Sequence, residues 1–151
     1  MIQRIQSIYL LLTAILMAVT VFSSLVVLNT DAEGVLVFLS CGIYEAGSAV
    51  YPTWGVITFA ALSTLLACIS IFLFKKRKMQ IKLCNLNTLL IIFFYITFAI
   101  YLYTGMSALQ ATFLKISHGI ILPIIALIFN ILATVKIKAD EKLIKSLDRI
   151  R

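Results

Sequence analysis

Charge is what this sequence lacks most. Only 13% of its 151 residues are Asp, Glu, Lys or Arg, against about 25% in an ordinary soluble domain. A hydrophobic fraction of 62% and a mean hydropathy of +1.10 accompany that deficit. Together they exclude a disordered chain, a nucleic-acid tail, a collagen and an ordinary water-soluble domain. Histidine occurs once (His118) and cysteine three times (Cys41, Cys68, Cys84). No C-x-x-C pair and no Cys/His spacing suited to zinc is present. The cysteines share no depth relative to the apolar runs, so no disulfide framework is expected. No metal, cofactor or catalytic residue is expected either.

What the chain does have is four uncharged intervals, 5–30, 46–74, 83–114 and 116–135, each at least 20 residues long. A bilayer core of about 30 Å needs roughly 20 helical residues at about 1.5 Å each. Backbone amides in lipid find no water, so each run is expected to be a helix. The ten-residue alternation of a membrane β-barrel is not seen. Spans are placed at 8–28, 54–74, 83–103 and 116–135. The expected fold class is therefore an all-α membrane protein: one antiparallel four-transmembrane-helix bundle. A cleaved signal peptide is disfavoured, because the first apolar body exceeds a secretory h-region and Ser23-Ser24-Leu25 is a poor cleavage site.

The basic residues set the orientation. Arg4 precedes the first span, Lys75, Lys76, Arg77, Lys78 and Lys82 join the second to the third, and six more follow the fourth. Twelve of the 13 therefore fall on one side, with only Lys115 opposite. Positive residues stay cytoplasmic, so both termini are expected inside. The net charge of +7 is a topology signal, and no nucleic-acid partner is expected.

Outside the spans, the segment 29–53 holds the β-rich Val35-Leu36-Val37-Phe38-Leu39 and a weaker Ala49-Val50-Tyr51. With turn residues Gly42, Gly47 and Pro52 it reads as a small outer β-hairpin or flap. Tyr44, Tyr51 and Trp54 are placed at the membrane interface. Ser107 followed by Gln110 has the form of a capping box, which starts the fourth helix near Ala108. Pro123 is expected to kink that helix. Residues 136–151 place Leu143, Ile144, Leu147 and Ile150 at helical spacing among charges, a basic amphipathic cytoplasmic helix.

No ionisable group lies in mid-span, which argues against an ion-coupled carrier. His118, near Lys115, reads as an interfacial structural histidine or, as the functional alternative, a proton acceptor or metal ligand at an outer site. Ser63, Thr64, Ser70 and Thr97 have no base at matching depth for a nucleophile. Asn85 and Asn87 enter the third span from its cytoplasmic end, and Asn130 lies at about the depth of Asn87 by helical rise. An amide–amide bond between these helices is expected as glue, worth ~0.6 kcal/mol and up to ~2. Ala60, Ser63, Ala67 and Ser70 form a small face on the second span for close packing.

Three stretches carry a resemblance: Met-Ile-Gln-Arg-Ile-Gln-Ser-Ile-Tyr-Leu (1–10), Lys-Lys-Arg-Lys-Met-Gln-Ile-Lys-Leu-Cys-Asn-Leu-Asn (75–87) and Ala-Asp-Glu-Lys-Leu-Ile-Lys-Ser-Leu-Asp-Arg-Ile-Arg (139–151). The chain resembles the Bacteroidetes membrane proteins grouped as domain of unknown function 4293. That resemblance implies a small four-span protein of a Gram-negative inner membrane and brings no activity or substrate. The three stretches suggest one composite cytoplasmic surface, built from Arg4, Gln6, Lys75, Lys76, Arg77, Lys78, Asp140, Glu141, Asp148 and Arg149. Its mixed signs favour a protein-docking surface over contact with anionic lipid alone. The leading reading is a non-enzymatic accessory or scaffold subunit, in contact with membrane lipid and with a protein partner or a second copy. The alternatives are a small transporter or channel component and, more weakly, a membrane enzyme.

Overall fold

The computed structural model describes residues 2–30, 34–74 and 76–148, with side chains from 5 to 144. In chain order it comprises α1 (Ile2–Phe22), β1 (Ser24–Thr30), β2 (Val35–Leu39), β3 (Gly42–Glu45), β4 (Ser48–Pro52), α2 (Trp54–Phe72), α3 (Arg77–Leu109), β5 (Ala111–Ile116), a 3-10 turn (His118–Ile120) and α4 (Leu122–Asp148). Helix α1 packs on α2 and α4, and α3 packs on the same two.

The helices are inverted relative to those of a soluble protein. Large aliphatics such as Ile15, Leu65, Ile96 and Ile128 point outward, while Ala60, Ser63, Ala67 and Ser70 of α2 are buried. Those small residues recur every three or four positions on one face, so neighbouring backbones approach closely. An outward-facing aliphatic coat is stable only where the surroundings are apolar.

The expected all-α class is corrected by a five-stranded antiparallel sheet of order β4-β3-β2-β1-β5. The element expected as an outer hairpin or flap is thus far larger. Strand β1, interior to the sheet between β2 and β5, occupies the end of the first expected span, 8–28. Helix α1 stops at Phe22, and Ser23 turns its hydroxyl back to the Val19 carbonyl at 2.8 Å. Leu25-Val26-Val27-Leu28 then runs between β2 and β5, with Val26 opposite Phe38 on one side and Ile116 on the other. Four consecutive buried residues make this strand as apolar as a helix interior, so hydropathy alone does not separate the two. Both its edges are paired, which satisfies its backbone as completely as a helix would.

Two further local expectations change. Ser107 does not cap the fourth helix, because it lies inside α3, which continues to Leu109. Gln110 adopts the left-handed conformation (φ 48°) and donates its N–H to the Met106 carbonyl, ending α3 before β5. Pro123 is the second residue of α4, where its missing amide breaks no intrahelical bond, so it starts the helix and does not kink it. The amphipathic C-terminal segment prolongs α4 as far as Asp148. The β3–β4 hairpin turns through Ala46 (φ 47°) and Gly47 (φ 89°), both positive as a twist-matched two-residue turn requires.

The sheet is bonded to the helix ends. Ser40 donates to the Thr20 carbonyl at 3.0 Å, and Thr53 donates to the Ser40 carbonyl at 3.1 Å. Phe38 meets Phe98 of α3 edge to face at 5.1 Å. Gly119 holds the other side of the junction. A Cβ there would stand 2.3 Å from the Ser24 carbonyl oxygen, a backbone atom that cannot swing aside. At Gly105 the obstacle is only the flexible tip of Ile43. Gly119→Ala is therefore expected to cost about 2 kcal/mol, and Gly105→Ala clearly less. Thermal unfolding in detergent checks this; a lower midpoint for Gly105→Ala than for Gly119→Ala contradicts it.

Candidate functional site

Four of the buried polar residues of the helical part, Ser63, Asn87, Asn130 and Thr134, join one chain of hydrogen bonds. Ser63 of α2 donates to Asn87 Oδ1 at 2.6 Å, and Asn87 Nδ2 donates to Asn130 Oδ1 on α4 at 3.3 Å. Asn130 Nδ2 in turn donates to the Cys84 carbonyl and to Thr88 Oγ1, each at 2.8 Å. Thr134 closes the α4 side by donating to the Asn130 carbonyl at 2.8 Å. Three helices are thereby joined through the side chains of Ser63, Asn87 and Asn130, all buried. Helical rise brings Asn87 and Asn130 level because α3 and α4 run in opposite directions. Asn85 takes no part and is exposed.

This arrangement can join helices but cannot activate a nucleophile. The Ser63 hydroxyl donates to an amide oxygen, which is no base at neutral pH. Residue-by-residue reading missed Ser63 and Thr88 as partners of the two asparagines. Their only signal is position, since Ser and Thr in helices mostly bond back to their own carbonyls, as Thr64 and Ser70 do here.

At the end that carries the basic residues, Gln6 of α1 donates Nε2 to the Asp140 carboxylate of α4. Asp140 is 8% exposed and Gln6 5%, so neither belongs to the expected docking surface. The amide–carboxylate bond draws the carboxylate inward between the two helices. Gln80 of α3 is also buried and donates to the Ser70 carbonyl at 3.0 Å, fixing the α2–α3 connection. Lys76 and Lys78 are exposed, and Arg77 and Glu141 are half-buried. Lys75 and Arg149, and the side chains of Arg4 and Asp148, lie outside the described residues.

At the sheet end, His118 is exposed, with Nδ1 3.4 Å from its neighbour Ser117 Oγ. Among the described residues no three His, Cys, Asp or Glu side chains converge. Tyr44 lies 3.5 Å from Cys41 Sγ, and this hydrogen bond raises the phenol above its usual pKa. Phe22 (83% exposed), Trp54 (72%) and Tyr103 (78%) ring the helices just below the sheet, the level at which aromatic belts form in membrane proteins.

Among the described residues, four helices are long and apolar enough to cross a membrane: Ile5–Phe22, Trp54–Phe72, Arg77–Leu109 and His118–Ile144. With their aliphatic coat and aromatic ring they define the class, a multi-pass helical protein capped by an antiparallel sheet. The chain belongs to the family described as domain of unknown function DUF4293, which matches residues 2–150. No curated protein shows significant similarity to it.

Proposed function

We propose that the chain is a multi-pass protein of a bacterial inner membrane, with its basic end in the cytoplasm and its sheet on the opposite side. There it acts as a non-enzymatic scaffold or accessory subunit. The observation that carries this reading is the closed chain Ser63–Asn87–Asn130–Thr88, whose donors are engaged within the protein. A transport path or reaction centre needs polar groups free to meet a substrate. The features that project outward include the sheet at one end and exposed lysines, Lys76 and Lys78 among them, at the other. The asymmetry of the basic residues supports the orientation.

Native electrophoresis of membranes extracted in mild detergent tests the role. The 16.8 kDa chain is expected in a larger assembly that also contains a different protein. Replacing Lys76→Glu and Lys78→Glu together should release it without changing its melting temperature. Migration as a lone chain, or an assembly indifferent to the charge reversal, overturns the reading.

A further inference from the structure

A groove of about 300 Å³ runs between α3 and α4 near the basic end, lined by Asn85, Thr88, Ile131, Thr134, Val135 and Lys138. Asn85 is exposed in it, and among the described residues its amide has no hydrogen-bond partner. The groove's two hydroxyls are already engaged, Thr88 accepting from Asn130 and Thr134 donating to the Asn130 carbonyl. Lys82 is exposed one turn before Asn85 on the same side of α3, and Lys142 is exposed one turn after Lys138 on α4. The nearby acids Asp140 and Glu141 do not line the groove. The site is therefore cationic at its mouth and apolar below, with one unsatisfied amide between.

Helical rise puts Asn85 about 4–5 Å deeper than Lys82, the step from headgroup charge to glycerol. An amide without a partner at the edge of the hydrocarbon is costly, and an oxygen-rich, negatively charged group at that depth removes the cost. From this geometry we propose that the groove binds the phosphate and glycerol of one anionic phospholipid. Asn85 donates to an ester or phosphate oxygen, Lys82 and Lys138 flank the phosphate, and the acyl chains lie on Ile131 and Val135. The inference rests on the membrane reading but not on the scaffold role.

Full-length protein reconstituted in phosphatidylcholine nanodiscs, then titrated with phosphatidylglycerol and followed by native mass spectrometry, tests it. Wild type is expected to retain one phosphatidylglycerol per chain in preference to phosphatidylcholine. Asn85→Leu, which leaves the net charge untouched, should weaken retention about tenfold, as loss of a hydrogen bond to a charged group does. Lys138→Gln should weaken it about fivefold and carries the test alone if Asn85→Leu alters the melting temperature. Equal retention of the two lipids, or full retention by the informative variant, overturns the proposal. Displacement by equimolar inorganic phosphate overturns the lipid assignment in favour of a soluble phosphate. Failure to enter phosphatidylcholine nanodiscs at all contradicts the membrane reading instead.

Discussion

Phe38→Ala is expected to lower stability by about 3–5 kcal/mol, the range for truncating a fully buried aromatic. Phe38 is 0% exposed and sits in β2 where the sheet meets the helices. It faces Val26 across one strand pairing and Ile43 across the other, and its ring edge meets Phe98 at 5.1 Å. Truncation leaves a void bounded by three strands and a helix, none of which is free to collapse into it. The same strand supplies the control: Val35 is 54% exposed, so Val35→Ala should change little. Thermal unfolding in a single detergent compares them. Similar midpoints for the two variants would mean that the sheet is not docked on the helices as described.

Asn130→Ala is expected to cost about 3–5 kcal/mol. Three interhelical bonds are lost, each worth ~0.6 kcal/mol and up to ~1.7 in membrane proteins, and the buried Asn87 amide keeps a donor with no acceptor, about 1–3 kcal/mol. A double-mutant cycle separates the two contributions. If Asn87 and Asn130 are coupled, Asn87→Ala with Asn130→Ala should cost less than the sum of the single variants, by roughly 0.5–3 kcal/mol. Strict additivity in detergent melting would show that the 3.3 Å bond between them contributes nothing.

The sequence makes the four helices legible because lipid imposes a minimum length on any uncharged run, and that length can be counted. The sheet is not legible in the same way. Leu25–Leu28 continues the apolarity of α1 without a charge or proline to mark the change, and only Ser23-Ser24 interrupts it. Strand β5 is obscured by the Ser107–Gln110 pattern, which has the spacing of a helix start but lies at a helix end. Strands β2 and β4 are legible, since Val35–Leu39 is β-branched and aromatic, Ala49-Val50-Tyr51 is extended and turn residues lie between them, whereas β3 (Gly42–Glu45), which separates the two in the sheet, is hidden behind its turn residue Gly42.

In the polar site, the levels of Asn87 and Asn130 follow from counting residues along two antiparallel helices. Rotation about each helix axis does not, which is why Asn85, two residues from Asn87, lies on a different face. The partners Ser63 and Thr88 come from tertiary packing that no local pattern encodes. Gln6 and Asp140 are 134 residues apart, and a charged residue in an amphipathic tail reads as solvent-facing until the helix on its other side is known.

The central claim is that the helices cross a membrane with the sheet on one face and the 76–82 region on the other. Cys41 is the exposed native thiol, in the turn between β2 and β3, and suits a direct measurement. With Cys68→Ser and Cys84→Ser in place, a membrane-impermeant maleimide should label Cys41 in intact spheroplasts. In the same background with Cys41→Ser, Lys78→Cys should be labelled only after lysis. Labelling of both positions from the same side, or of Lys78→Cys alone in intact spheroplasts, would contradict the account.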